Sequence, residues 1–278
     1  MGKTLFISDL DGTLLNSDAV LSDLTVETIN RLTAEGIYFT YATARTVYTA
    51  FPKTKRLDIS VPCILNNGSS VYDSRSKKFV KKAFIPQETA ARLIDAFRSN
   101  DVGCMMLKFA GDTLLQCVDD YINTPGMLAY IAERRVYAPR RFIECDDIRQ
   151  ENDSSAVYIT ANGDYEKMLP VYRTVKEIAG ADCAFYKDSY TDYWYLETFS
   201  EEASKANGVK FLRERYGFDR VVAFGDNYND LSMFSQADIK VAVGNAVEEI
   251  RRAADFIADT NDNDGVAKFL EDQADKFI

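Results

Sequence analysis

The 278-residue chain contains no histidine. That absence removes Ser-His-Asp and Cys-His nucleophile systems and every histidine-ligated zinc site, so hydrolytic chemistry here must run on carboxylates, lysine, arginine, hydroxyls or a hard metal ion. Cysteine is scarce and scattered: Cys63, Cys104, Cys117, Cys145 and Cys183 form no Cys-x-x-Cys pair, which points to ordinary thiols and away from a disulfide framework or a zinc cluster. No apolar run approaches the roughly 20 residues that span a bilayer, so a soluble protein without a membrane partner is expected. The first residues pass straight into an apparent strand, with neither the apolar region nor the cleavage site of a secretory signal, and the expected location is the cytoplasm. Positive charge is also short. With 33 Lys and Arg against 43 Asp and Glu, the formal net charge is −10, the wrong sign for a nucleic-acid partner. A small anionic substrate remains open if positive charge is gathered locally.

What is present is globular in character, 46% hydrophobic and 12% aromatic, at a length that suits about two domains. Residues 3–8 read as a buried strand, 22–35 as a helix with Val26, Ile29 and Leu32 at helical spacing and Gly36 as its stop, and 37–42 as a further apolar strand. Strand, helix and strand in that order predict a parallel β-α-β unit. An apolar run at 63–65 then meets the turn Asn66-Asn67-Gly68, and 69–72 with 78–82 suit a short hairpin.

From about Ala83 the rhythm changes. A helix at 86–99, strands at 104–109 and 113–118, an irregular polar stretch to 153, a strand at 156–160, a helix at 165–178 and strands at 183–187 and 193–198 suggest an α+β insert. The parallel rhythm returns with a helix at 202–216, a strand at 220–224, a helix after Asn229, a strand at 239–243 and a helix at 246–254. The expected architecture is therefore an α/β core with a mainly parallel sheet at 1–82 and 190–278, interrupted by an α+β domain at 83–189.

Chemistry gathers at the ends of the core strands. The first strand runs into Asp9-Leu10-Asp11-Gly12-Thr13; an Asp-Gly turn accounts for Asp11 and Gly12 and leaves Asp9 unexplained. The strand at 220–224 runs into Gly225-Asp226-Asn227-Tyr228-Asn229-Asp230, a second set of acids. The strand at 37–42 delivers Thr43, Ala44 and Arg45 to the same edge, where open α/β sheets bind ligands. Each piece alone suits a turn, a helix cap or a surface charge. Together, clustered aspartates without histidine suit a hard cation such as magnesium, and a hydroxyl, a backbone amide and a cation suit a phosphate. Lys205, near the start of a helix, can offset the negative charge.

These motifs, in this order and with the insert between them, resemble the haloacid dehalogenase-like superfamily, specifically its Cof-type, subfamily IIB sugar-phosphatase branch. The resemblance spans essentially the whole chain, including the stretch 241–271. It implies a Rossmann-like core and a C2B-type cap at 83–189 that selects substrate. It also implies a magnesium-dependent phosphatase acting on small phosphorylated metabolites through an aspartyl-phosphate.

The roles implied by the resemblance are specific. Asp9 would be the nucleophile and Asp11 the acid and base. The carboxylates of Asp9 and Asp226 with the Asp11 carbonyl would hold magnesium, and Asp230 would support that shell. Thr43, Lys205, Asn229 and the amides near Leu10 and Ala44 would bind phosphate, and Arg45 would touch substrate. The second motif reads Thr-Ala-Arg where the family more often has Thr-Gly-Arg. A phosphotransferase or mutase using the same intermediate, or a phosphate sensor without turnover, are the alternatives; oligomeric state is left open.

Two further stretches invite other readings. Residues 260–271, Thr-Asn-Asp-Asn-Asp-Gly and onward, partly match a calcium loop, but Thr260 stands where that loop begins with Asp, and a helix-starting turn is expected. The aromatic run at 190–197 is expected to be a packed strand and not a base-stacking surface.

Overall fold

A computed structural model describes residues 2–188 and 191–277. They form two compact units, one of residues 2–81 and 204–277 and one of residues 82–203.

Strand β1 (Thr4–Ser8) is buried along its whole length and leads through α1 (Asp23–Ala34) to β2 (Tyr38–Tyr41). Helix α1 starts on Ser22, whose side chain accepts from the Thr25 amide, and it buries Val26, Ile29 and Leu32 as their spacing requires. Then come α2 (Val47–Thr54), β3 (Cys63–Leu65), β4 (Ser70–Asp73) and β5 (Lys78–Lys82); the three strands make a small sheet of their own in which the expected hairpin is found.

The second unit follows with α3 (Gln87–Ser99), β6 (Met105–Ala110), β7 (Thr113–Asp119), α4 (Pro125–Tyr137) and β8 (Phe142–Cys145). It continues with β9 (Ala156–Gly163), α5 (Tyr165–Val175), β10 (Ala181–Lys187) and β11 (Trp194–Ser200). The first unit resumes with α6 (Lys205–Tyr216), β12 (Arg220–Gly225), α7 (Asp230–Phe234), β13 (Ile239–Ala242), α8 (Glu248–Ala253), β14 (Phe256–Ile257) and α9 (Gly265–Gln273).

The main sheet of the first unit has the order β14-β13-β12-β1-β2, and its neighbouring pairs are all parallel. Parallel sheets are covered on both faces, which is why β1 and β12 read as unbroken apolar runs. Ser8 is level with Phe224 on one side and Tyr41 on the other. Asp9, Ala42 and Gly225 therefore leave the sheet along one edge, and this shared register brings separated motifs together. The mainly parallel core expected from the sequence is the one found.

The second unit is built on a sheet of order β10-β11-β9-β6-β7-β8, antiparallel except for the β7 and β8 pair. It departs from expectation in two places. The stretch taken as irregular contains α4, which opens on Thr124: its hydroxyl accepts from the Met127 amide at 3.2 Å, and Pro125 occupies the first turn. Glu133, Arg134 and Arg135 mask the apolar face that the helix buries through Met127, Tyr130 and Ile131.

The second departure is the return to the first unit. The expected boundary falls on Ser189 and Tyr190, which lie outside the described residues, yet β11 beyond it is hydrogen-bonded between β10 and β9. The crossing comes after it, at Ala203 and Ser204. The aromatic run is a packed strand from Trp194 onward, after an exposed bend at Thr191 and Asp192: Trp194 lies against Tyr165 and Phe185, and Tyr195 against Tyr130 and Tyr186.

Near the C-terminus a tight turn at Asn261–Asn263 and Asp264 at φ 57° lead into α9, so the helix-starting turn is found. Its acids have partners in the first unit. Asp262 accepts from the Ser17 amide and hydroxyl, and Asp264 accepts from the hydroxyls of Ser22 and Thr25.

Candidate active site

Asp9 is the first residue beyond β1, and its amide still donates to the Phe224 carbonyl at 2.9 Å, as if the sheet continued one residue further. The carboxylate is thus delivered to the sheet edge by a buried strand that is hydrogen-bonded on both sides. Asp226 stands in the same relation to β12, and its carbonyl accepts from the Val247 amide.

Beside Asp9 lies Lys205, the first residue of α6, with a side chain that is 0% exposed. Its Nζ donates to Asp9 Oδ1 at 2.5 Å and to Asp230 Oδ1 at 2.7 Å. Asp230 spends its other oxygen on the amides of Asp226 at 2.9 Å and Asn227 at 3.1 Å. That single carboxylate ties α7, the loop after β12 and Lys205 into one object. Gly225 permits it: a Cβ there would meet Asp230 Cβ at 2.6 Å.

The turn after Asp9 is equally constrained. Gly12 has φ +78°, and a Cβ on it would stand 2.5 Å from an Asp226 carboxylate oxygen, so a side chain is excluded by both backbone and space. Thr13 donates to Asp226 Oδ1 at 2.8 Å. Asn245 donates to the Gly12 carbonyl at 2.7 Å and accepts from the Asn261 amide, whose side chain in turn donates to the Leu15 carbonyl. The C-terminal stretch therefore braces the loop that carries the acids.

Asp11, partly exposed, is gripped by Arg45: Nε donates to Oδ2 at 2.7 Å and a terminal nitrogen to Oδ1 at 2.6 Å. Arg45 reaches it from the loop after β2, where its amide donates to the Thr43 hydroxyl at 3.1 Å. That loop rests on the Asn66–Gly68 turn, since the amides of Asn66 and Asn67 donate to the carbonyls of Arg45 and Thr43.

The electrostatics follow from burial. Burial first, then the neighbouring carboxylates, push Asp9 well above the ordinary carboxylate range, against the pull of Lys205. Burial and the Asp230 carboxylate raise Asp226 to about 7, against its bond from Thr13 and the charge of Lys205. Burial works against the Lys205 charge, but the carboxylates of Asp230 and Asp9 outweigh it and hold the ammonium pKa above its usual value.

A cation fits this arrangement. Oxygens of Asp9, Asp226 and Asp230 lie within 4.8 Å of one another, all hard donors, and burial first, then their mutual repulsion, raises the proton affinity of Asp9 and Asp226; a nearby cation would offset both. Asp230 already accepts three hydrogen bonds, from Lys205 and from the amides of Asp226 and Asn227.

The residues expected from the sequence thus fall into two linked groups. One joins Asp9, Lys205, Asp226 and Asp230; the other joins Asp11, Thr43 and Arg45, with the buried Leu10 and the half-buried Ala44 as their chain neighbours. Asn229, half-buried, directly precedes Asp230 at the head of α7, and its carbonyl accepts from Ser232. Thr13 and Asn245 escaped the sequence reading as site residues, and the Asn66–Gly68 turn, expected as a turn, was not connected with the site. Thr13 lies inside the Asp-Leu-Asp-Gly-Thr motif and could have been found there, whereas nothing local marks Asn245.

Residues 6–270 match the model of a family of haloacid dehalogenase-like hydrolases. The chain belongs to that family. It is 25% identical over 279 aligned residues to the 5-amino-6-(5-phospho-D-ribitylamino)uracil phosphatase YitU of Bacillus subtilis, covering 96% of each chain. Among solved structures, a haloacid dehalogenase-like hydrolase from Bacteroides thetaiotaomicron superposes with a TM-score of 0.77 at 28% identity, over 96% of this chain and 98% of that one. The subclass IIB sugar phosphatase BT4131 shares the fold with a TM-score of 0.74 at 21% identity, over 97% of this chain and 98% of that one. The family and the enzyme class expected from the sequence are borne out: a haloacid dehalogenase-like hydrolase among phosphatases.

Proposed function

We propose that the protein is a magnesium-dependent phosphatase that hydrolyses small phosphomonoesters through an aspartyl-phosphate on Asp9. The observation that carries this reading is the Asp9 carboxylate itself, fixed at the sheet edge with Lys205 at 2.5 Å and Asp226 beside it. A nucleophile so placed cannot rotate away from an incoming phosphorus, which is the positioning that phosphoryl transfer demands.

In the first displacement Asp9 attacks phosphorus, the ester P–O bond breaks, and Asp11 gives a proton to the departing alcohol. In the second, water attacks the aspartyl-phosphate, Asp11 takes the proton from that water, and Asp9 is released. Lys205 shares its charge between Asp9 and the phosphoryl oxygens, while Thr43, Asn229 and the amides near Leu10 and Ala44 donate to the remaining oxygens. Asp9, Asp226 and the Asp11 carbonyl would hold magnesium, which would supply positive charge to offset the repulsion between phosphate and carboxylates. Choice among leaving groups is assigned to the unit at 82–203, with sugar phosphates and similar metabolites as the substrate class.

The test is phosphate release from a panel of small phosphomonoesters with magnesium and with a chelator. Magnesium-dependent release from at least one ester supports the reading. A folded, magnesium-supplied protein that releases phosphate from none of them would sink it in favour of a transferase or a sensor.

A further inference from the structure

Arg45 and Asp11 are joined by two parallel charge-assisted hydrogen bonds, from Nε to Oδ2 at 2.7 Å and from the terminal nitrogen to Oδ1 at 2.6 Å. A carboxylate held at one point still turns about its own axis; one held at two points by a planar guanidinium has its plane fixed. Arg45 is itself anchored through its backbone and largely buried. Its side chain is only 15% exposed, its own amide is bonded to the Thr43 hydroxyl, and its carbonyl accepts from the Asn66 amide.

We propose that Arg45 is a positioning residue that aims the Asp11 carboxylate at the leaving-group oxygen, and so acts on the reaction through Asp11. The inference rests on the phosphatase reading above. It differs from a substrate contact in what it controls. A contact with phosphate would strengthen binding of every ester alike, whereas aiming the acid matters in proportion to how much the leaving group needs a proton. An alkoxide leaving group needs one badly; a nitrophenolate scarcely needs one.

The experiment compares kcat/KM for an alkyl phosphate and for p-nitrophenyl phosphate, because kcat/KM reports the steps up to departure of the alcohol. In Arg45→Ala the alkyl ester loses at least about ten-fold more than the aryl ester, within the range that a positioned acid commonly contributes. Arg45→Lys, which keeps the charge and loses the fork, shows the same bias in smaller degree, and it serves if the alanine variant does not fold. In an Asp11→Asn background, Arg45→Ala changes the alkyl-to-aryl ratio no further, because the group it aims is gone.

Equal losses for both esters, or an undiminished bias in the Asp11→Asn background, would overturn the proposal. Failure of the phosphatase reading looks different, since the wild-type protein would then release phosphate from neither ester.

Discussion

Lys205 lies between the Asp9 and Asp230 carboxylates, donating to one at 2.5 Å and to the other at 2.7 Å, with no part of its side chain exposed. A buried ammonium with two carboxylates is costly to assemble and more costly to break, because removing the cation leaves like charges facing each other away from water. Lys205→Met is therefore expected to lower unfolding stability by about 3 kcal/mol or more in metal-free protein. Urea unfolding in the presence of a chelator checks this, and a variant as stable as the wild type would contradict it.

Asp226 gives a pH signature of the metal-free site. Its pKa is raised to about 7 in the folded protein, above the ordinary value of 3.8, chiefly by burial and by Asp230. The folded state therefore holds a proton that the unfolded chain releases between those values. The stability linked to that proton is fully present below about pH 4 and is lost as pH rises through about 7. Asp226→Asn, which cannot ionise, is expected to gain stability over the wild type on going from pH 5 to pH 8. Unfolding measured at both pH values in chelator would show that gain. A stability difference that does not change with pH would count against the electrostatic account of the site.

Gly12 joins the turn after β1 to the Asp226 carboxylate. With φ +78° and an Asp226 oxygen 2.5 Å from where a Cβ would stand, Gly12→Ala must strain the turn and displace the carboxylate together. The expected result is a stability loss of about 1 to 3 kcal/mol and weaker magnesium binding. Thermal shifts with and without magnesium measure both effects, and an unchanged magnesium shift would be the wrong outcome.

The cysteines are expected to be quiet. Burial pushes the thiols of Cys63 and Cys104 up to about 12, so little thiolate exists near neutrality. Iodoacetamide at pH 8 should label the less buried Cys145 and Cys183 before either of them, as peptide mass mapping would show. Early labelling of Cys63 or Cys104 would mean that the native packing opens readily.

The sequence made some of this legible and not the rest, for physical reasons. β1 and β12 announce themselves because strands buried on both faces are continuously apolar, and acids at their ends have few structural excuses. Helix α4 was missed because its apolar face is interrupted by charged residues, although Thr124 and Pro125 mark its start. The crossing after β11 is invisible locally, since whether an alternating strand joins one sheet or another is decided by distant partners. The fork between Arg45 and Asp11 spans 34 positions, and no spacing rule encodes it.

Asp9 is proposed as the nucleophile. Acid quenching during turnover of a phosphomonoester with magnesium, followed by peptide mass mapping, tests it directly against the Asp9→Asn protein. The account predicts a phosphoryl group on the Asp9 peptide of the wild type, and neither that group nor phosphate release in the variant. A phosphoryl group on another side chain, or turnover that survives Asp9→Asn, would contradict it.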